Sequence, residues 1–252
     1  MQPLDSLAHE LKAPRRLSEQ LTTALAGEIV SGRLAAGDQF PSTESIVNQF
    51  GVSRTVARET VQALAMLGLV HVQHGKRTEV LPENEWDILS STVQEALRSE
   101  GKAAPLLRDL YEFRLLIEPH AAALMAEHGS DDDVRRLGEL ATEMERIADT
   151  EASPGAVLVA DRAFHDLVAR ASENRVVLAV SRDIREIIGT LWGLSHLDPD
   201  DARIVARQHR TIADAVGRRD PNGAAETMRD HLTWAAQADL HGVGETASPP
   251  RV

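Results

Sequence analysis

The stretch that decides the fold is Phe50-Gly51-Val52-Ser53-Arg54-Thr55-Val56-Ala57-Arg58-Glu59-Thr60. Gly51 stops a short helix carrying Ile46, Val47 and Phe50, and Ser53 stands where an N-cap opens the next. A serine hydroxyl suits that place because it accepts from a backbone N–H left without a partner at a helix start. From there Val56, Thr60, Leu64 and Leu67 recur at helical spacing until Gly68 ends the run. Two helices joined by so short a glycine-bearing turn form the unit of a helix-turn-helix.

Upstream, Leu17, Leu21, Leu25 and Ile29, with Ala24 on the same side, predict an amphipathic helix over 17–30 ended by Ser31-Gly32. Ala36-Gly37-Asp38 is turn chemistry, and Phe40-Pro41-Ser42 opens the second helix with Ser42 as its cap. Downstream the period falls to two. Leu69 to Gln73 and Arg77 to Leu81 flank the turn His74-Gly75-Lys76 and predict a β-hairpin. Helix, helix-turn-helix and hairpin in that order predict a winged helix-turn-helix over 15–81, after a flexible N-terminus over 1–14. Pro82-Glu83-Asn84-Glu85 reads as the core of a linker over 82–86. Breaks near 101–105, 129–130, 153–155, 174, 197–199 and 220–221 then delimit six or seven helices and no strand. They predict an all-α helical bundle over 87–241, where dimerisation is also expected, and a disordered tail over 242–252.

The net charge of −12 first looks wrong for a nucleic-acid binder. Yet Lys12 to Leu81 holds eight basic and six acidic residues, so the acidity lies almost wholly in the second half. That half would be repelled by phosphates, which leaves the N-terminal domain to meet DNA. The absence of cysteine excludes a disulfide framework, thiolate metal sites and a cysteine nucleophile. No apolar run approaches the roughly 20 residues of a membrane span, and Asp5, His9 and Glu10 argue against a signal peptide. No membrane partner is expected, and the cytoplasm is the expected compartment.

Ile29-Val30-Ser31-Gly32-Arg33-Leu34, Gly37-Asp38-Gln39-Phe40-Pro41-Ser42 and Phe50-Gly51-Val52-Ser53-Arg54 together resemble the GntR family of bacterial regulators. Val56-Ala57-Arg58-Glu59, Leu67-Gly68-Leu69-Val70 and Gly75-Lys76-Arg77-Thr78 continue the likeness. The helical half is similar to the FadR-type effector domain, called FCD, through 114–118, 161–165, Asn174, 208–210 and 230–232. The resemblance implies a homodimer on a palindromic operator in double-stranded DNA. It also implies repression of a catabolic operon, relieved by a small carboxylate such as a sugar acid.

Arg54 and Arg58 lie four apart near the start of the third helix, on one face. The N-terminal part of that helix enters the major groove, where the arginine fork matches guanine O6 and N7. Thr55 beside them suits a phosphate or a thymine methyl, and Ser42 and Ser53 complete the expected contacts outside the wing. The resemblance implies that His74 and Gly75 approach the minor groove, with Lys76 at the same wing tip. The family often has an arginine in the second helix where this chain has Glu44.

In the second half polar residues stand where a core should be. Leu158, Asp161, His165 and Val168 share a stripe, as do Val205, His209, Ile212 and Val216, and Ala224, Met228, His231 and Ala235. A buried carboxylate is costly unless paired or metal-bound. Three histidines and an aspartate make a donor set for Zn²⁺ first, with Ni²⁺ and Mn²⁺ as alternatives, and the positions resemble those of an FCD metal site. The rival reading is three separately satisfied core histidines. Such an ion could be structural, could take an effector carboxylate, or could itself be the signal. Arg114 shares a face with Leu110 and Ile117 and calls for an anion, either an acidic effector or an internal carboxylate such as Glu118. Arg114 and Asn174 are the expected effector contacts. No second inward carboxylate is evident beside the ligands as a general base, so an enzyme is not expected.

Overall fold

Helix α1 (Pro14–Ser31) buries Leu21, Leu25 and Ile29 as the spacing predicts, together with Thr22, Ala26 and Val30. Leu17 and Ala24, expected on that face, are exposed instead. The buried stripe is turned and widened because α1 is gripped by two partners, α3 (Arg54–Met66) and α4 (Ser91–Ser99). The computed structural model describes residues 14–73, 77–150, 154–192 and 199–242. They fall into two units that divide between Lys102 and Ala103.

In the first unit α2 (Thr43–Phe50) ends at Gly51, whose φ of 65° lets its N–H reach the Val47 carbonyl. Ser42 and Ser53 cap α2 and α3, their hydroxyls accepting from Ser45 N–H at 3.1 Å and Val56 N–H at 3.2 Å. Strands β1 (Val70–His71) and β2 (Glu79–Val80) pair antiparallel, with Val70 opposite Val80. The segment read as a bare turn supplies a further edge. Gly37 N–H donates to Val80 O, Val80 N–H to Asp38 O, and Phe40 N–H to Thr78 O, each at 2.9–3.0 Å. The wing tip His74-Gly75-Lys76, the N-terminus over 1–13 and the tail over 243–252 lie outside the described residues.

The expected linker over 82–86 is instead part of this unit. Glu83–Glu85 forms a 3-10 turn, Asp87 N–H donates to Leu67 O at 2.9 Å, and Trp86 Nε1 donates to Leu81 O at 3.2 Å. Beyond it α4 buries Val93, Ala96 and Leu97 and packs on α1. Lys102 Nζ donates to the last carbonyls of α1, Val30 O at 2.8 Å and Ser31 O at 3.2 Å. Arg33 bridges Glu28 and Glu100. The first unit thus extends past residue 81 because α1 needs a second apolar partner.

The second unit is a bundle of α5 (Ala104–His128), α6 (Asp131–Asp149), α7 (Pro154–Arg170), α8 (Arg175–Trp192), α9 (Pro199–Gly217) and α10 (Pro221–Gly242). Its core is built on Leu137, Met144, Phe164, Ile212, Met228 and Leu232, with α5 and α10 as the most extensive pair. Among the described residues no helix is long and apolar enough to cross a membrane.

Gly68 closes α3 at a φ of 68°, and a Cβ there would stand 2.0 Å from the Glu85 carbonyl oxygen. Gly68→Ala should therefore cost roughly 2 kcal/mol or more, from backbone strain plus a clash that only backbone movement relieves. A thermal melt or urea titration checks this, and an unchanged midpoint would refute the packing of the 83–86 segment on α3.

Candidate functional site

On α3, Arg54, Thr55 and Arg58 are all exposed, while Val56, Ala57, Thr60, Val61 and Leu64 anchor the opposite face. Thr60 Oγ1 donates to Val56 O at 3.0 Å, so the helix presents its arginines from a fully satisfied buried side. Ser42 and Ser53 are exposed, but their hydroxyls already serve as caps. Glu44 is exposed in the first turn of α2, where a negative charge suits the helix dipole.

In the bundle α7, α9 and α10 bring Asp161, His165, His209 and His231 together, with one ligand atom of each within 4.8 Å of all the others. His209 Nε2 lies 3.1 Å from Asp161 Oδ1 and 3.2 Å from His165 Nε2, and His165 Nε2 is 3.6 Å from Asp161 Oδ1. Tetrahedral coordination at 2.0–2.2 Å would separate its ligands by roughly 3.3–3.6 Å, so these spacings suit one shared ion.

The outer side of each imidazole says the same. His209 Nδ1 donates to Val205 O at 2.8 Å, and His231 Nδ1 donates to Gln208 Oε1 at 2.9 Å. His165 Nδ1 lies 2.7 Å from Glu118 Oε2, short though poorly aligned for a hydrogen bond. A proton held on Nδ1 of His209 and of His231 leaves Nε2 of each as an acceptor, able to take a metal ion or, where His209 meets His165 at 3.2 Å, a shared proton. Outer partners of this kind orient metal-ligating histidines. The residues present therefore fit a divalent ion. Phe164, fully buried, stands edge-on to His209 with ring centroids 4.6 Å apart and walls the cluster.

Charge holds the cluster in a ligating state. Burial pushes Asp161 up, but His165 and His209 hold its carboxyl well below the usual carboxylate range. Burial, with His209 and His165 beside it, presses His231 well below the ordinary imidazole value and keeps it neutral. Burial lowers His165, yet Glu118 and Asp161 override it and draw a proton there. A bound ion would displace that proton.

A cavity of about 90 Å³ opens beside the cluster. Asp161 and His231 line it, with Arg114, Arg162, Arg185, Tyr111, Trp234 and Asp239. Arg114 Nε donates to Glu118 Oε1 at 2.8 Å, so it meets the internal carboxylate foreseen as one alternative while also facing the cavity. Asn174 does not belong here. It is exposed, and its Oδ1 accepts from Val176 N–H at 2.9 Å and Val177 N–H at 3.3 Å, capping α8. An asparagine preceding a helix is most easily satisfied by the orphan N–H groups beside it.

Sequence reasoning missed Arg185, Tyr111 and Asp239. One further step of four along the stripe of His231 and Ala235 reaches Asp239. Arg185 sits between Ser181 and Ile188 on the inward face of α8, where the same spacing could have found it.

Comparison with known proteins agrees with this architecture. Residues 17–80 match the model of the bacterial regulatory proteins of the gntR family, and residues 109–233 match the FCD domain. The chain belongs to the GntR family. It is thus a transcriptional regulator rather than an enzyme, of the kind that pairs a GntR helix-turn-helix with an FCD domain. GntR regulators bind operator DNA and often dimerise, and FCD domains often bind metal. The chain is similar to the HTH-type transcriptional repressor NanR of Enterobacter sp. (strain 638), 27% identical over 95% of this chain and 91% of that protein. It is also similar to the HTH-type transcriptional regulator YieP of Escherichia coli K12, 26% identical over 86% of this chain and 93% of that protein. The solved structure of Lar, which controls expression of the Listeria monocytogenes agr system, shares the fold. Its TM-score is 0.58 at 16% identity, over 92% of this chain and 98% of Lar.

Glu118 is almost fully buried between Arg114, Arg185 and His165. Burial pushes its carboxyl up, but Arg114 and His165 hold it well below the usual range. Glu118→Ala should cost about 3–5 kcal/mol of stability, because it strands buried cations. A chemical-denaturation curve matching the unsubstituted protein would show that these charges are satisfied elsewhere.

Proposed function

We propose that this GntR regulator is a homodimeric cytoplasmic repressor of a catabolic operon, bound to a palindromic operator. It leaves the operator when a small carboxylate, such as a sugar acid, binds beside a metal ion in the helical unit. The observation that carries the reading is Arg185. Its side chain is buried and lines the cavity, Asp166 takes one end, and Nη1 has no hydrogen-bond partner, with Glu118 Oε1 at 3.6 Å. A buried guanidinium nitrogen without a partner costs free energy, and a carboxylate oxygen supplies the partner it lacks.

Asp161, His165, His209 and His231 would hold the ion, which the donor set assigns to zinc first, with nickel or manganese as alternatives. When bound, the ion supplies a Lewis-acidic anchor for an effector oxygen. Arg114 and Arg185 orient the anion, Val157, Leu158 and Ile188 keep water from it, and Glu118 lies against both arginines. Operator contact falls to Arg54 and Arg58 on guanine edges, with Thr55, Ser42 and Ser53 on the backbone. Family likeness assigns the minor groove to His74 and Gly75, with Lys76 at the same tip, all three outside the described residues.

The effector acts only through differential affinity for the two arrangements of the DNA-binding units. Operator DNA must therefore weaken effector binding by the same factor as effector weakens operator binding.

Protein purified without chelator should carry about one divalent ion per chain by elemental analysis. Stripping the ion should lower the melting temperature, and His209→Ala should abolish both effects. A metal-free protein that zinc, nickel and manganese all fail to stabilise would refute the site. DNA release that follows the ion alone, with no organic acid, would replace the effector reading with metal sensing.

Arg54→Ala and Arg58→Ala should each weaken operator binding by about 1–3 kcal/mol without altering the melting temperature, since each removes a bidentate base contact from an exposed side chain. Anisotropy titrations with unchanged affinity would sink the assignment of α3 as the reading helix.

A further inference from the structure

The cavity beside the ligand cluster has two chemically different ends. At one stand Asp161, His231, Arg114 and Arg185, the seat argued above for a carboxylate. From His231 the wall follows α10 through Trp234, Ala235 and Ala238 to Asp239. Those eight steps along the helix rise about 12 Å. Asp239 is buried, and one of its oxygens, Oδ2, accepts from the Tyr111 hydroxyl at 2.5 Å. No arginine, lysine or histidine among the described residues pairs with it within ion-pair distance, unlike the carboxylates of Asp161, Asp166 and Glu118.

A carboxylate with one neutral donor in an apolar wall is under-served, because each ionised carboxylate offers about four acceptor sites and its burial is costly without them. Resting on the carboxylate reading of the metal end, we propose that Asp239 is a specificity-determining residue of the effector pocket. It accepts a hydroxyl at the far end of a monocarboxylate effector and turns away a second carboxylate there.

Charge and size both favour that ligand class. At the near end Glu118 answers Arg114 and Asp166 answers Arg185. Asp161 offsets half the charge of a divalent ion, so a single effector carboxylate completes the balance. Above about pH 7, where Asp239 is ionised, a distal carboxylate would meet a like charge in a low-dielectric wall. A distal hydroxyl supplies the missing donor. Burial above all raises the Asp239 carboxyl to about 7, against the lowering pull of Tyr111 and Arg114, and a donated hydroxyl favours its ionised form. A water needs roughly 10–15 Å³ on the scale of this cavity, so about 90 Å³ suits a ligand of about six to nine heavy atoms.

The test uses full-length, metal-loaded protein and three probes matched in carbon count: hexanoate, 6-hydroxyhexanoate and adipate. Titration calorimetry should rank 6-hydroxyhexanoate at least tenfold tighter than adipate, with hexanoate between them. Asp239→Asn keeps the shape and the Tyr111 partner but adds a donor and removes the charge. It should narrow the gap between adipate and 6-hydroxyhexanoate at least tenfold. A gap that survives the substitution, or adipate binding tighter than 6-hydroxyhexanoate to the unsubstituted protein, overturns the role of Asp239. If all three probes bind alike, the carboxylate seat stands and Asp239 is a structural partner of Tyr111 alone. If none binds, the carboxylate seat fails and this inference fails with it. The three-probe ranking needs no variant, so it decides even if Asp239→Asn folds poorly.

Discussion

The buried carboxylate of Glu118 is the constraint on which the helical unit rests. It comes from α5 and meets Arg114 of the same helix, Arg185 of α8 and His165 of α7. None of these groups tolerates the interior alone, because an uncompensated buried charge costs several kcal/mol. Placed together they satisfy one another, and three helices are held in register by charge as well as by packing. The His165 ring is turned by this contact so that Nε2 faces His209 and Asp161. The ligand cluster is therefore the inner surface of an ion-pair network whose outer surface is Glu118.

The two units solve different problems with the same apolar chemistry. In the first, α3 must expose one face to a partner, so its other face is locked by Val56, Ala57, Thr60 and Leu64. The scaffold behind it is strengthened by α4 on α1 and by Lys102 capping the α1 carbonyls. In the second unit the polar residues point inward, and the cost of burying them is offset by partners from other helices. The acidity of the second half keeps that unit off phosphate, and on the proposed reading the arginines inside it take a small anion.

The legible parts share a physical origin. Caps and turns are local: Ser42 and Ser53 sit three residues from the N–H groups they accept, and Gly51 bends the chain where a Cβ would strain it. The inward stripes of His165, His209 and His231 are likewise local, since a residue's face on a helix follows from spacing alone. Leu17 and Ala24 misled because spacing gives the direction of a face but not how many partners will cover it. Asn174 misled because one polar residue suits both a ligand and a helix start, and the nearer satisfaction won. The segment over 82–86 looked like a linker because proline and charge mark irregular backbone. Its contacts with Leu67, Gly68 and Leu81 lie in space rather than in composition.

By itself the sequence determined the order of helices and strands, the caps, the exposed face of α3, and the fact that one aspartate and three histidines face a bundle interior. Each of these depends on residues within about four positions of one another, where backbone geometry leaves few alternatives. Only the tertiary structure decided that ligand atoms of Asp161, His165, His209 and His231 converge, that Glu118 joins Arg114 to Arg185 and His165, and that Tyr111 meets Asp239 across 128 residues. Helical periodicity says which way a side chain points, but not which side chain of another helix it will meet. That is set by how the apolar faces of α5, α7, α8, α9 and α10 pack.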